Sequence, residues 1–225
     1  MAHPVGARPA AKPPGRRDRS SPGRRDRSYH HGDLHQALIA ATEAILVERG
    51  VDGFTLREAA RRVGVTPAAP AHHFGSAAGL LTEVALLGFQ ALHDHLIDAA
   101  KAAGASPAEQ ARALGHGYVR FARAHPARFQ LMFRMNRLLE DDPRLVAACG
   151  AAESELERAT RAYRGLDADT PLDAQMKAEM LGGWSLVHGF AHLALEGRFD
   201  DAAGDADIET FLRDTLDAIL RRHFP

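Results

Sequence analysis

With 225 residues, 45% of them hydrophobic and 25% charged, the chain is long enough to bury one large core or two smaller ones without covalent staples. Its single cysteine, Cys149, excludes an intramolecular disulfide and a cysteine-rich zinc site, and fits a reducing compartment. The formal charge of −1 conceals an asymmetry: residues 1–28 carry eight Arg or Lys against two Asp, a net of +6, and the remainder carries −7.

Residues 1–28 are rich in Pro, Gly, Ser and Arg, with the near-repeat Gly15-Arg-Arg-Asp-Arg-Ser20 and Gly23-Arg-Arg-Asp-Arg-Ser28. They offer little to pack, so an arm without fixed structure in the free protein is expected, either a solvated leader or a polyanion-binding extension. Arg24, Arg25 and Arg27 are the arm cations assigned to such contacts.

Beyond the arm there is no β alternation, whereas apolar residues at helical spacing recur throughout, so the fold class is all-α. A first helix is expected from Asp33 to Arg49, with Leu34, Leu38, Ala41 and Ile45 on one face and Gly50 as its stop. Thr55-Leu-Arg-Glu58 reads as a capping box opening a second helix, with Phe54 stapled against Ala59. Gly64 ends that helix within a few residues, and Thr66-Pro67 offers a new cap, which predicts a short third helix from Pro67 to about His73. Pro70 is tolerable there because it lies in the first turn.

Ser76 is expected to cap a long fourth helix, with Leu80, Val84, Leu87, Ala91 and Ile97 as its apolar positions, closed near residue 101 by Gly104-Ala-Ser-Pro107. Further helices are predicted at about 107–124, 126–138, 143–164, 172–196 and 206–222, three of them started by Pro126, Pro143 and Pro171. No stretch reaches the roughly 20 apolar residues of a membrane span, and the first residues lack the apolar core of a secretion signal. No membrane contact and a cytoplasmic location are expected.

Phe54 to Phe74 therefore has the layout of a helix-turn-helix, whose second short helix is the one laid into the DNA major groove. Leu56, Ala59, Ala60, Val63 and Val65 are expected to hold the pair against the first helix, leaving Thr66, Ala68, Ala69 and His72 outward as a small, smooth reading face.

These residues, together with Tyr29-His-His-Gly-Asp-Leu34 before them and Phe74-Gly-Ser-Ala-Ala-Gly-Leu-Leu81 after them, resemble the TetR/AcrR family signature over about 50 residues. The resemblance implies phosphate clamping at helix N-termini through Thr55, Thr66 and Ser76, which sets register without reading sequence. Tyr29, His30, Pro67, Ala71 and His73 complete the expected DNA-contacting set. Two positions depart from the family pattern: Ala71 replaces a usual tyrosine and Ala77 a usual lysine, and both changes weaken phosphate contact. The adjacent His72 and His73, and the arginines of the arm, are candidates for restoring it.

Farther on, Ala124-His-Pro-Ala-Arg-Phe-Gln-Leu-Met-Phe133 and Gly183-Trp-Ser-Leu-Val-His-Gly-Phe190 are similar to one C-terminal subclass of these regulators, the one carrying a Trp-His-Gly motif. The resemblance implies a helix-turn-helix domain over 29–75 and, joined to it by a long helix, a helical effector-binding and dimerisation bundle over 76–225. Phe121, Phe129, Met132, Phe133, Met135, Met180, Trp184 and His188 are the candidates for a cavity wall, suited to an apolar organic effector, although each can equally be a core residue. Val187, Ala191, Leu195, Phe211, Leu212, Leu216 and Ile219 are the candidates for a dimer interface.

Thirteen histidines invite a metal reading, and His188 and His192 stand one helical turn apart, but a third ligand such as Glu196 would have to be supplied; core and surface histidines account for the count, and no metal or other cofactor is expected. No Gly-rich phosphate loop follows a strand and no nucleophile elbow occurs, so no enzymatic activity is expected. The resulting expectation is a homodimeric regulator, a repressor released by a small apolar effector, on a pseudo-palindromic double-stranded operator. The alternative is a ligand- or metal-binding sensor with weakened or lost DNA binding.

Overall fold

The computed structural model describes residues 29–225, with side chains from Leu34 onward. The arm and its arginines lie outside the described residues, as do the side chains of Tyr29 and His30. Helices follow one another as α1 (Tyr29–Arg49), α2 (Leu56–Val63), α3 (Ala69–Phe74), α4 (Ala77–Ala102), α5 (Pro107–Ala124) and α6 (Pro126–Met132). A 3₁₀ turn at Met135–Arg137 precedes α7 (Pro143–Tyr163), α8 (Ala174–Leu195), α9 (Asp200–Ala203) and α10 (Ile208–His223). No strand occurs among the described residues, and none of their helices is long and apolar enough to cross a membrane.

α4 is the axis of the molecule. It packs against α1, α3, α5, α6 and α7. Only Leu80 and Val84 of its expected apolar stripe are buried; Leu87, Ala91 and Ile97 are half-buried, while Leu81, Ala85, Leu86, Phe89, Leu92 and Leu96 are enclosed. A helix with neighbours on several sides buries a wider sector than a single stripe indicates. The buried apolar side chains form one connected cluster from Leu38 and Ile45 of α1 to Leu216 and Leu220 of α10, so packing crosses the Gly75–Ser76 junction.

Two expected segments are corrected and one helix is added. The second cap, Thr66, does not start α3: Pro67 and Ala68 form a turn in which the Ala69 N–H donates to the Thr66 carbonyl (3.0 Å), and the helix begins two residues later on Ala68 without a side-chain cap. The 126–138 helix stops at Met132, because the following stretch is drawn to other elements: the Leu139 N–H donates to Thr82 Oγ1 of α4 (2.9 Å), and Arg137 reaches Asp52 and the Val51 carbonyl. α9, a single turn stopped by Gly204, was not legible as a helix at all.

Candidate functional site

The reading head is built from caps, turns and one close approach. Thr55 Oγ1 accepts from the Glu58 N–H (3.2 Å), satisfying one orphan donor of α2. Only half of the expected box forms, because the Glu58 carboxylate is engaged by Arg61 (2.8 Å) and Arg62 (3.1 Å). These partners, Arg61 first, hold the Glu58 carboxyl down at about 2. Arg62 also binds Glu48 (2.8 Å), which ties α2 to α1.

Gly64 ends α2 in the left-handed region at φ 75°, and the Val65 N–H returns to the Ala60 carbonyl (3.0 Å). Ser76 Oγ accepts from the Gly79 N–H (3.0 Å) and caps α4. Gly79 is required by the junction: a Cβ there would lie 2.0 Å from the Phe74 carbonyl oxygen. Phe74 itself packs against His35 of α1, with ring centroids 4.6 Å apart.

This scaffold exposes Thr66, Pro67, Ala68, Ala71 and His72 together, along with the helix starts Thr55, Ser76 and Ala77. Ala69, expected to face outward, and His73, expected to contact DNA, are half-buried, and Pro70 is buried. What remains between the helix starts is a low surface carrying the His72 imidazole and the Thr66 hydroxyl.

A cavity of about 460 Å³ lies between α5, α7, α8 and the end of α10, within the range of small-molecule sites. Its inner wall carries Leu114, Tyr118, Leu156, Val187 and Leu220, and its mouth carries Tyr163, Phe224 and the Arg164–Glu179 ion pair. The Arg112 Nη1 donates to the Phe224 carbonyl (2.6 Å), and the Phe224 ring meets Tyr163 edge-on at 5.3 Å.

At the inner end, Tyr118 Oη lies 2.7 Å from His188 Nδ1, and the Trp184 Nε1–H donates to the same oxygen (3.3 Å). Burial pushes the Tyr118 phenol above its ordinary range. Burial, then the neighbouring His192, push His188 down and favour its neutral form.

Of the eight residues assigned to the cavity wall, Met180 and Trp184 line this cavity. Phe121, Phe129 and Met132 are fully enclosed in core packing; Phe133 is half-buried against Phe89, Phe129 and Trp184, and Met135 is exposed on the 3₁₀ turn. His188 stands behind Tyr118 against Phe129 and Phe133. Helical spacing identified aromatic and methionine positions without separating those that meet each other from those that border empty space. Tyr118, Tyr163 and Phe224 were missed. The signal for the first was the sequence Gly115-His-Gly117 beside it: glycine inside a helix marks a close approach, and a Cβ on Gly115 would strike Leu220 at 2.8 Å.

The dimer candidates are similarly divided. Val187, Ala191, Leu212 and Leu216 are buried within the chain's own core, while Leu195, Phe211 and Ile219 are half-buried. The outward face of α8 instead carries Leu181 and Leu193, 50% and 45% exposed, with Gly182, Ser185 and Gly189 between them. His188 and His192 have ring centroids 4.6 Å apart, and both pack on Phe129. Among the described residues no group of three or more His, Cys, Asp or Glu is placed to hold a metal ion.

Two short helices presented on the start of a long one, and a cavity walled in part by α5 and α7, which pack on that helix, define a helix-turn-helix fold with an all-helical second part. Residues 38–84 match the model of the TetR family of bacterial regulatory proteins, and residues 111–219 match that of a tetracyclin repressor-like C-terminal domain. A solved protein of unknown function from Rhodococcus sp. RHA1 is 30% identical, covering 89% of this chain and all of that one, with a TM-score of 0.66.

The fold is shared with the TetR family transcriptional regulator PfmR from Thermus thermophilus, at 20% identity over 82% of this chain and 97% of that one (TM-score 0.59). A TetR family transcription regulator from Marinobacter aquaeolei is similar at 18% identity over 85% and 97% (TM-score 0.59). No curated protein matches. The chain belongs to the TetR family, whose members are DNA-binding transcriptional regulators and typically repressors.

Proposed function

We propose that the chain is a cytoplasmic, homodimeric repressor that binds a pseudo-palindromic operator and is released by a small, mainly apolar effector. The observation that carries this reading is the placement of the cavity: α5 and α7, which wall it, pack directly on α4, and α4 begins at the reading head. An effector that favours one packing of α5, α7 and α8 biases the orientation of α4 and with it the spacing of two reading heads. Release needs a differential affinity between the two states of about 1–3 kcal/mol.

The division at about residue 75 into a DNA-binding and an effector-binding part belongs to this reading, as do phosphate contacts by Thr55, Thr66 and Ser76. For the dimer, we assign the exposed face of α8 bearing Leu181, Ser185, Gly189 and Leu193. Its small residues allow close helix approach. The chain acts without catalysis in this reading; burial pushes the Cys149 thiol up, the opposite of what activates a nucleophile.

The test is selection of bound sequences from a random duplex pool at two salt concentrations, with a variant lacking residues 1–28 alongside. An enriched palindrome is the expected result. The exposed Ala71 and Ala77 favour one competing reading, a ligand sensor without DNA function, and absence of enrichment in both forms would establish it in place of the repressor.

A further inference from the structure

Arg222, His223, Phe224 and Pro225 all line the cavity, although α10 ends among them, at His223. The Phe224 N–H closes the helix on the Leu220 carbonyl (2.8 Å), and Pro225 has no N–H with which to continue it. From there the segment is held from outside α10, by the three other helices that wall the cavity. Arg112 of α5 donates from Nη1 to the Phe224 carbonyl (2.6 Å). The Phe224 ring meets Tyr163 of α7 edge-on, with centroids 5.3 Å apart. On α8, a Cβ built at Gly183 would lie 3.3 Å from Phe224 Cζ, so the tip of the ring lies against the helix backbone, an approach for which glycine leaves room. Phe224 thus spans the mouth from α5 to α7 and α8.

These anchors are few and reversible. Leu220, one helical turn earlier, is buried and sits in the close approach at Gly115. Phe224 is only half-buried, and Arg222, His223 and Pro225 are exposed. One hydrogen bond, one ring contact and one backbone approach can be released while Leu220 keeps α10 in place. A segment with so few buried contacts belongs to the low-stability end of a structure, from which lids are drawn.

We infer that residues 222–225 are a strap across the mouth of the cavity, latched by the Arg112–Phe224 hydrogen bond, and that a ligand enters and leaves when this latch opens. The inference rests on the reading of the cavity as the effector site. Arg112 holds the strap from outside the cavity lining, so its side chain acts on access and not on the bound ligand. A latch and a wall differ kinetically. Raising the open population of a strap speeds entry and exit by the same factor and leaves the equilibrium affinity in place, whereas loss of a wall contact speeds exit alone.

The experiment mixes the full chain with N-phenyl-1-naphthylamine, an uncharged apolar fluorophore, in a stopped-flow instrument. Binding is read by energy transfer from Trp184, the only tryptophan of the chain, which lines the cavity. Arg112→Met removes the donor and keeps an aliphatic stem. In this variant the association and dissociation rates are both expected to rise about tenfold, the worth of one charge-assisted hydrogen bond, at unchanged Kd. Phe224→Ala, which removes the bar instead of the latch, is expected to raise both rates as well. Arg164→Met, which breaks the ion pair with Glu179 at the same mouth, is expected to keep the wild-type rates.

Unchanged rates in either strap variant, a faster dissociation alone in Arg112→Met, or an equal rise of both rates in Arg164→Met overturns the strap and leaves the cavity as a binding site. If the fluorophore draws no energy transfer from Trp184 in any form, the effector reading of the cavity fails together with the inference built on it.

Discussion

Around α2 the chain is held by charges and caps at the surface: Glu58 bridges Arg61 and Arg62, Arg62 reaches Glu48, and Thr55 and Ser76 close two helix starts. Around α5 and α8 it is held by rings, with Tyr118, Phe121, Phe129, Phe133, Trp184 and His188 in mutual contact at centroid separations of 4.5–6.4 Å. The first arrangement is local and geometrically determinate, as a rigid docking surface requires. The second borders, through Tyr118 and Trp184 alone, the cavity proposed as the effector site, where packing contacts are incomplete.

The contrast is tested first at Phe129, fully buried and in ring contact with Tyr118, Phe121, Phe133, His188 and His192. Phe129→Ala is expected to cost about 3–5 kcal/mol in urea unfolding, the largest effect of the set. An effect below about 1 kcal/mol would mean that the ring cluster is not the structural centre of this region.

Gly79→Ala comes next. A methyl group cannot share space with the Phe74 carbonyl, so α3 must lift from α4, at about 1–3 kcal/mol. DNA affinity should fall more than cavity binding, as read by a gel-shift assay beside Trp184 fluorescence; equal losses would erase the distinction between the two regions.

Removal of the caps by Thr55→Ala or Ser76→Ala is a smaller change, about 1 kcal/mol each in thermal or chemical unfolding. Both hydroxyls are also proposed phosphate ligands. DNA binding should therefore weaken beyond the stability loss, and an effect on stability alone would reduce them to caps.

Acidification should separate the regions most gently. His188 has a lowered pKa, so below the ordinary histidine range, about 6.5, the unfolded chain takes the proton more readily and the cavity region loses stability. Glu58, held at about 2, contributes stability above its ordinary value of 4.5 that is lost only as pH falls from there toward 2. Trp184 emission should consequently change at a higher pH than the helix signal of the head, and His188→Gln should remove the upper transition. Coincident transitions in the wild type would show that one group governs both.

Signals that act over a few residues were legible in the sequence: the caps at Thr55 and Ser76, the stop at Gly64, the proline starts of α6 and α7, and the class of fold, whereas Pro171 does not start α8, which Asp173 caps. Such signals depend on backbone donors, φ angles and side chains within one turn of each other, all of which the chain carries with it. Even here the margin was narrow, since Glu58 chose Arg61 and Arg62 over its cap and α3 began at Ala69 instead of Pro67.

What only the tertiary structure decided is which apolar residue faces which neighbour. The periodicity that placed Phe121, Phe129, Val187 and Trp184 on helix faces has one value for a residue in the core, one bordering a cavity and one awaiting a second subunit. Their separation arises where α5, α7, α8 and α10 meet, with Gly115 admitting Leu220 and Tyr118 left at the edge of the space that remains. The period of a helix is a local property, whereas a void is made by elements distant in sequence that stop short of one another.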